Sequence, residues 1–260
     1  MMNPPPLKFV SHTIEEYAMQ VTYDPVAGTG RVVYNLSLVR TPDLAPVLEV
    51  VRTACRSGVC ASDQVRVVHE GETIDGFTVP EGQTGICTLC SVTLDGILLN
   101  RGVPLHPIGG GVVEIVNRVP RRFTHLIHYD ETTIDPLQVL IAEEISSVSE
   151  VIRSGNGTIL ANIRECHMEA EPLVAELLDD LGESRFVGVL EVGLPNSPLL
   201  GVQISPQYMG VVAVGGTNPI AAVREAGYMV GTRAMRGVID AAEMTSVEQL
   251  AADVQPRAGA

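Results

Sequence analysis

Apolar positions along the chain alternate between strand-like runs and helical spacings. Residues 32–39 form an apolar, β-branched run that reads as a strand. Leu44, Val47, Leu48 and Val51 then recur at helical spacing and predict a helix over about 43–55. Strands follow at 65–69, 77–79 and 85–92, and a helix at 95–100 closes on Gly102, a natural C-terminal glycine position. The same order returns later as a strand at 159–163 and a helix over about 168–181, with Leu173, Val174, Leu177, Leu178 and Leu181 on one face. It continues with strands at 187–192, 200–204 and 209–214 and a helix at 219–226 ending on Gly227. Between the two series lie a strand at 123–129 and a helix from Pro136 to about Arg153.

The likeness extends to residues, as a duplication would leave it. Gly30-Arg-Val-Val-Tyr-Asn-Leu36 reads against Gly157-Thr-Ile-Leu-Ala-Asn-Ile163 at an offset of 127, and Pro46 against Pro172 at 126. Ile74-Asp-Gly-Phe-Thr-Val79 reads against Leu199-Leu-Gly-Val-Gln-Ile204, and Gly85-Ile-Cys-Thr-Leu-Cys-Ser91 against Gly210-Val-Val-Ala-Val-Gly-Gly216, both at 125. The fold expected is α/β, with two pseudo-equivalent halves forming one body of mixed sheets flanked by helices and some parallel pairing. The organisation expected is an extended lead-in over 1–16, a first half over 17–130, a connecting helix within 131–156, a second half over 157–248 and a flexible tail over 249–260.

Composition narrows the functional classes. The 260 residues carry 31 acidic and 17 basic side chains, a net charge of −14 that argues against this chain gripping nucleic acid through its phosphates. No apolar run approaches the length of a membrane span, and the N-terminus lacks the basic and apolar regions of a signal peptide, so a cytoplasmic protein is expected. Five cysteines, an odd number, suit free thiols in a reducing compartment.

Few residues offer chemistry. Val211-Val-Ala-Val-Gly-Gly-Thr-Asn-Pro219 runs from a strand through two glycines into a helix, with Asn218 at the N-cap and Pro219 at the first helical position. Such a helix start suits an anion, and would equally serve a tight turn with nothing bound. In the first half Cys90-Ser91 and Thr93 take the places of Gly215-Gly216 and Asn218. Cys87 and Cys90 form a C-x-x-C, but residues three apart on a strand face opposite sides, so no metal site is expected. No dedicated carboxylate pair stands out. His106, between two prolines and ahead of Gly109, Gly110 and Gly111, is the histidine expected to line a cleft. Arg122 and Arg164, beside strands, are the arginines expected to meet a dicarboxylate.

Several of these segments together resemble one family. Gly85-Ile-Cys-Thr-Leu-Cys-Ser-Val-Thr-Leu-Asp-Gly-Ile-Leu-Leu99, Arg122-Phe-Thr-His-Leu-Ile-His-Tyr129, Ile134-Asp-Pro-Leu137, Ile159-Leu-Ala-Asn-Ile-Arg-Glu165 and Val214-Gly-Gly-Thr-Asn-Pro-Ile-Ala221 are similar to the regulatory domains of the archaeal NrpR nitrogen repressors, in the same order over about 17–244. The resemblance implies a sensor of 2-oxoglutarate without a cofactor, not an enzyme, and a homodimer. It places Cys90 in the effector cleft. Ahead of Tyr17 there are too few residues for the family's winged helix-turn-helix, which leaves three expectations: a subunit that works with a DNA-binding partner, a piece of a longer protein, or a relative with another role. The dianion would meet Thr88, Cys90, Ser91 and Thr93, then His106, Gly110 and Gly111, and Arg122 and Arg164, so that Arg122→Ala is expected to abolish binding. Two rival readings are an enzyme on a small keto or amino acid using Cys90, and a purely structural oligomerisation module.

Overall fold

The computed structural model describes residues 6–183 and 188–254. Helix α1 (Val10–Ala18) comes first, where an extended lead-in was expected. It buries Val10, Ile14 and Ala18 and packs on α3. The first half then runs β1 (Arg31–Arg40), α2 (Leu44–Arg56), β2 (Gln64–Val68), a small hairpin of β3 (Thr73–Ile74) and β4 (Phe77–Thr78), β5 (Gln83–Leu89), α3 (Val92–Asn100) and β6 (His106–Val116). Strand β7 (Val119–His128) and helices α4 (Pro136–Ala142) and α5 (Val148–Ser154) connect the halves. The second half is β8 (Gly157–His167), α6 (Glu171–Glu183), β9 (Val189–Val192), β10 (Tyr208–Val214), α7 (Asn218–Glu225) and β11 (Val230–Asp240). Strand β12 (Thr245–Ser246) and helix α8 (Val247–Val254) follow, so a helix occupies 249–254 of the expected flexible tail.

With the hairpin set aside, each half is a β-α-β-β-α-β unit of the split-βαβ type. The halves are not folded side by side. One five-stranded sheet has the order β11-β1-β5-β2-β12 and the other β7-β6-β8-β10-β9. The last strand of each half is therefore seated in the sheet of the other half: β6 pairs with β8, and β11 with β1. Each complete sandwich takes its first four elements from one half and its final helix and strand from the other.

Every ladder among the described residues is antiparallel, which corrects the expected parallel pairing. The alternation of strands and helices was real, and β1 and β2 do run the same way. But β5 lies between them and bonds to both, so the two parallel strands never touch. The two ends of the expected connecting helix survive as α4 and α5, separated at 143–147, where Glu144 adopts φ of 55°. The Glu225 carboxylate of α7 restarts the helix by accepting from the Val148 and Ser149 amides at 2.8 and 2.6 Å. Residues 200–204 make a turn closed by a Leu199–Val202 bridge, not a strand. Of the expected strand 187–192, position 187 lies outside the described residues.

Burial explains why these segments hold. Strand β1 is covered on both faces and is buried almost without interruption. Helix α2 presents Val47, Leu48 and Val51 to a core shared with Ile220 and Val223 of α7 and Val247 of α8. On the second sheet Leu94 and Ile97 of α3 share a core with Val174 and Leu177 of α6 and Val211 of β10. Each exchanged helix thus lies beside the helix of the opposite half.

Candidate functional site

The chain changes sheets at two turns: from β5 into α3 at Cys90–Ser91, and from β10 into α7 at Gly215–Gly216. These are the two segments that the repeat aligns. Their bonding is also equivalent. The Cys90 amide donates to the Val33 carbonyl at 2.8 Å and the Gly215 amide to the Leu160 carbonyl at 2.8 Å. The Val33 amide donates to Thr93 Oγ1 at 3.1 Å, and the Leu160 amide to Asn218 Oδ1 at 2.8 Å. Thr93 and Asn218 thus lock each helix start to the neighbouring strand.

The two turns touch. Thr88 Oγ1 donates to the Gly216 carbonyl at 3.0 Å. A Cβ on Gly216 would lie 2.2 Å from the Leu89 carbonyl oxygen and 2.9 Å from Asn35 Nδ2, so only glycine allows this approach.

Around the contact lies a narrow cavity of about 20 Å³, room for a single water molecule. Both halves line it, with Asn35, Cys90 and Ser91 from one and Asn162, Gly216 and Thr217 from the other, beside Tyr129 and Asp135 of the connecting segment. Asn35 and Asn162 are equivalent residues of the repeated strand. Asn162 donates to Ser91 Oγ at 3.0 Å and accepts from the Tyr129 hydroxyl. Asn35 Oδ1 accepts from the Met235 amide at 3.1 Å, in an irregular part of β11 where Met235 has φ of 45°. Thr217, and not the expected Asn218, is the N-cap of α7; it makes no side-chain cap bond, and its buried Oγ1 has no partner among the described residues.

Behind Ser91 sits a buried ion pair. Arg164 Nε donates to both oxygens of Asp95 at 2.7 and 2.8 Å, and its Nη2 reaches Ser91 Oγ at 3.3 Å. Both side chains are under 5% exposed, and Arg164 Nη1 has no partner among the described residues. Burial pushes the Asp95 carboxyl above the ordinary range, against the lowering by Arg164. Burial pulls Arg164 down, but the charge and hydrogen bonds of Asp95 outweigh it and hold the guanidinium protonated. Burial also pushes the Cys90 thiol up to about 12. A thiol so far from its thiolate is a poor nucleophile, which removes the chemistry that the Cys90 enzyme reading needs.

Of the residues singled out in the sequence, Cys90 and Ser91 line the cavity, and Thr88, Thr93 and Arg164 stand directly behind it. Gly110 contributes by being small: a Cβ there would meet the Tyr129 hydroxyl at 3.0 Å and the Leu137 side chain at 3.3 Å. Gly111 serves strand pairing, since a Cβ would lie 2.2 Å from the His125 carbonyl oxygen of β7. The glycine run belongs to β6 and is not a cleft loop. His106 is exposed at the start of that strand, and Arg122 projects from β7 with its side chain 66% exposed, donating to Glu114 at 3.0 Å. Neither lines the cavity. The polar residues that sequence reasoning passed over are Asn35, Asp95, Tyr129, Asn162 and Thr217. The signal for two of them was in plain view: an asparagine at the same place in both copies of an apolar strand. Among the described residues no group of three or more His, Cys, Asp or Glu is placed to hold a metal, and no helix is long and apolar enough to cross a membrane.

Comparison with known proteins agrees with this architecture. The family model described as NrpR regulatory domains NRD1 and 2 matches residues 7–246. The global nitrogen regulator NrpRI of Methanosarcina mazei is 34% identical over 92% of this chain and 73% of its own length. The global nitrogen regulator NrpR of Methanocaldococcus jannaschii is 30% identical over 89% of this chain, which spans only 38% of that relative. The crystal structure of a nitrogen repressor-like protein from Methanococcus jannaschii superposes with a TM-score of 0.80 and 28% identity, over 93% of this chain and all of the other. The chain belongs to the family of NrpR regulatory domains, whose named members are nitrogen regulators and not enzymes.

Proposed function

We propose that this chain is the 2-oxoglutarate-sensing part of a nitrogen-assimilation repressor. In this reading it works in the cytoplasm as a homodimer, and a helix-turn-helix supplies the DNA contact. The observation that carries the proposal is the polar cavity at the meeting point of the two turns, backed by a buried arginine with a free Nη1 and bordered by a threonine with a free hydroxyl. A five-carbon dicarboxylate has the groups to use both: one carboxylate for Arg164 and Ser91, and oxygens at the other end for Thr217 and Asn35.

The cavity as it stands holds about one water, so the ligand needs an arrangement in which the two turns have moved apart. A ligand that fits only that arrangement shifts the population toward it. This is what an effector of repression requires, because affinity for one state alone converts concentration into a change of shape. Because both halves line one cavity, the stoichiometry expected is one ligand per chain, not one per half.

Calorimetric titration with 2-oxoglutarate, with glutarate and glutamate as controls, tests the reading. Saturable binding of 2-oxoglutarate alone at one site per chain is expected. No heat and no shift in melting temperature with any of the three would overturn it.

A further inference from the structure

The pseudo-symmetry of the halves is broken at the sheet edges: β7 extends one sheet beyond β6, and β12 extends the other beyond β2. In the first half, β12 pairs with the outer edge of β2 through Thr245–Val65 and Ser246–Gln64. Helix α8 then lies along α2, burying Val247 and Ala251 beside Val47, Leu48 and Val51. In the second half the equivalent strand, β9, ends its sheet with no neighbour among the described residues. Beside it an open cleft of about 470 Å³ runs between α6 and β9, lined by Leu178, Val189, Leu190 and Val192. Strand β9 is short and carries one charged residue, Glu191, which adds to the acidic character of the cleft.

Charge tells what the cleft is built to take. Glu248 in the first turn of α8 is held by Arg56, at 2.5 and 2.7 Å, and by Arg52 at 3.8 Å. Helices α2 and α6 each begin directly after a short 3-10 turn, and aligned at their first residues, Leu44 and Glu171, they place Asp179 opposite Arg52. The polarity of the docking position is reversed. Asp179 is exposed and makes no ion pair among the described residues, whereas Asp180 is taken by Arg101 at 2.9 Å.

We infer that the α6–β9 cleft docks a strand–helix segment of another protein chain. That segment adds an antiparallel strand to β9 and lays an amphipathic helix along α6, with arginine or lysine where α8 has Glu248. A second copy of this chain does not fit, because its own strand–helix segment is already seated and carries the acidic residue. Helix α6, with Glu171, Glu176, Asp179 and Asp180 on its described turns, would also repel its twin. The inference is independent of any ligand in the central cavity.

Two labelled peptides of residues 241–254 serve as probes, one unaltered and one with Glu248→Arg, titrated into the full chain by fluorescence anisotropy. Replacing one repulsion by one attraction, at Asp179, is expected to favour the Glu248→Arg peptide about fivefold. The preference should shrink at high salt and reverse in the Asp179→Arg chain. Hydrogen exchange should slow at residues 189–192 and not along β2. The inference fails if the two peptides bind alike, if neither saturates at millimolar concentration, if Asp179→Arg changes nothing, or if protection falls elsewhere.

Discussion

Thr217→Val separates the cavity's role in stability from its role in binding, because the two should move in opposite directions. Thr217 is 1% exposed, and its Oγ1 has no partner among the described residues. It stands at the N-cap of α7, where threonine often contributes about 1 kcal/mol through its side chain, but makes no such bond here. Valine keeps the β-branched shape, so the substitution exchanges only the hydroxyl for a methyl. A buried hydroxyl without a partner costs about 1–3 kcal/mol, and the lower end applies because the cavity is large enough for one water to give partial relief. A gain of about 1 kcal/mol in a chain of this size raises the melting temperature by roughly 2–4 °C. With 2-oxoglutarate present the same hydroxyl would be a ligand contact worth about 1 kcal/mol, so the affinity should fall about fivefold. Scanning calorimetry with and without ligand, together with titration calorimetry, measures both quantities. A variant destabilised by more than about 1 kcal/mol would mean that the hydroxyl caps α7 in solution. Unchanged affinity would remove Thr217 from the site.

Gly216→Ala should destabilise the chain by about 3 kcal/mol in urea unfolding, within the range for overpacking a core, since its Cβ meets the Leu89 carbonyl oxygen at 2.2 Å; wild-type stability would show that the turns do not touch. Burial pushes the Asp135 carboxyl from 3.8 to about 6 in the folded chain, so the folded state keeps a proton that the unfolded state has released. Its contribution is fully present below about pH 4 and lost as pH rises through about 6, up to roughly 3 kcal/mol in all. Asp135→Asn keeps the cap of α4 and should flatten that part of the pH–stability curve, so parallel curves for the two proteins would contradict the shift. Arg122→Ala should leave 2-oxoglutarate affinity within twofold, whereas Arg164→Lys, which keeps a charge for Asp95 but loses the guanidinium fork, should weaken it more than tenfold. The reverse order in titration calorimetry would return the site to the β7 edge.

How much of this was legible in the sequence depended on how completely each segment is buried. β1, β5, β8 and β10 are buried almost throughout and α2 along one full face, and their apolar patterns announced them. β6 and β11 did not, and they are the two exchanged strands. Pro107 and glycines 109–111 weaken the apolar signal of β6, and β11 is mostly half-buried with Arg233 and Arg236 in its middle. Both are held by long ladders to the other half, so pairing and not local preference makes them strands. The same blindness shaped the expected site. Read as a loop, the glycine run suggested a cleft near His106 and Arg122, whereas the duplicated asparagine and the paired turns marked the place where the two halves meet.

The exchange of strands also bears on how a signal could leave the cavity. β6 and β8, like β11 and β1, are joined over nearly their whole length, so each half is anchored in the other's sheet and cannot swing away as a unit. Compliance is left to the turns themselves, where Gly216 meets Leu89 and each helix start is tied to a strand by one side chain, Thr93 or Asn218. A dianion entering between the turns would push on the first residues of α3 and α7 together. Those helices carry the load in different directions: α7 lies against α2, in the core that also seats α8, while α3 lies beside α6 and its cleft. One event at the pseudo-dyad would thus reach both outer faces of the molecule, and reach them unequally, since α8 already fills one face and the other is open among the described residues. A duplicated fold that has kept its symmetry at the centre and lost it at the rim can convert a symmetric binding event into a directional one.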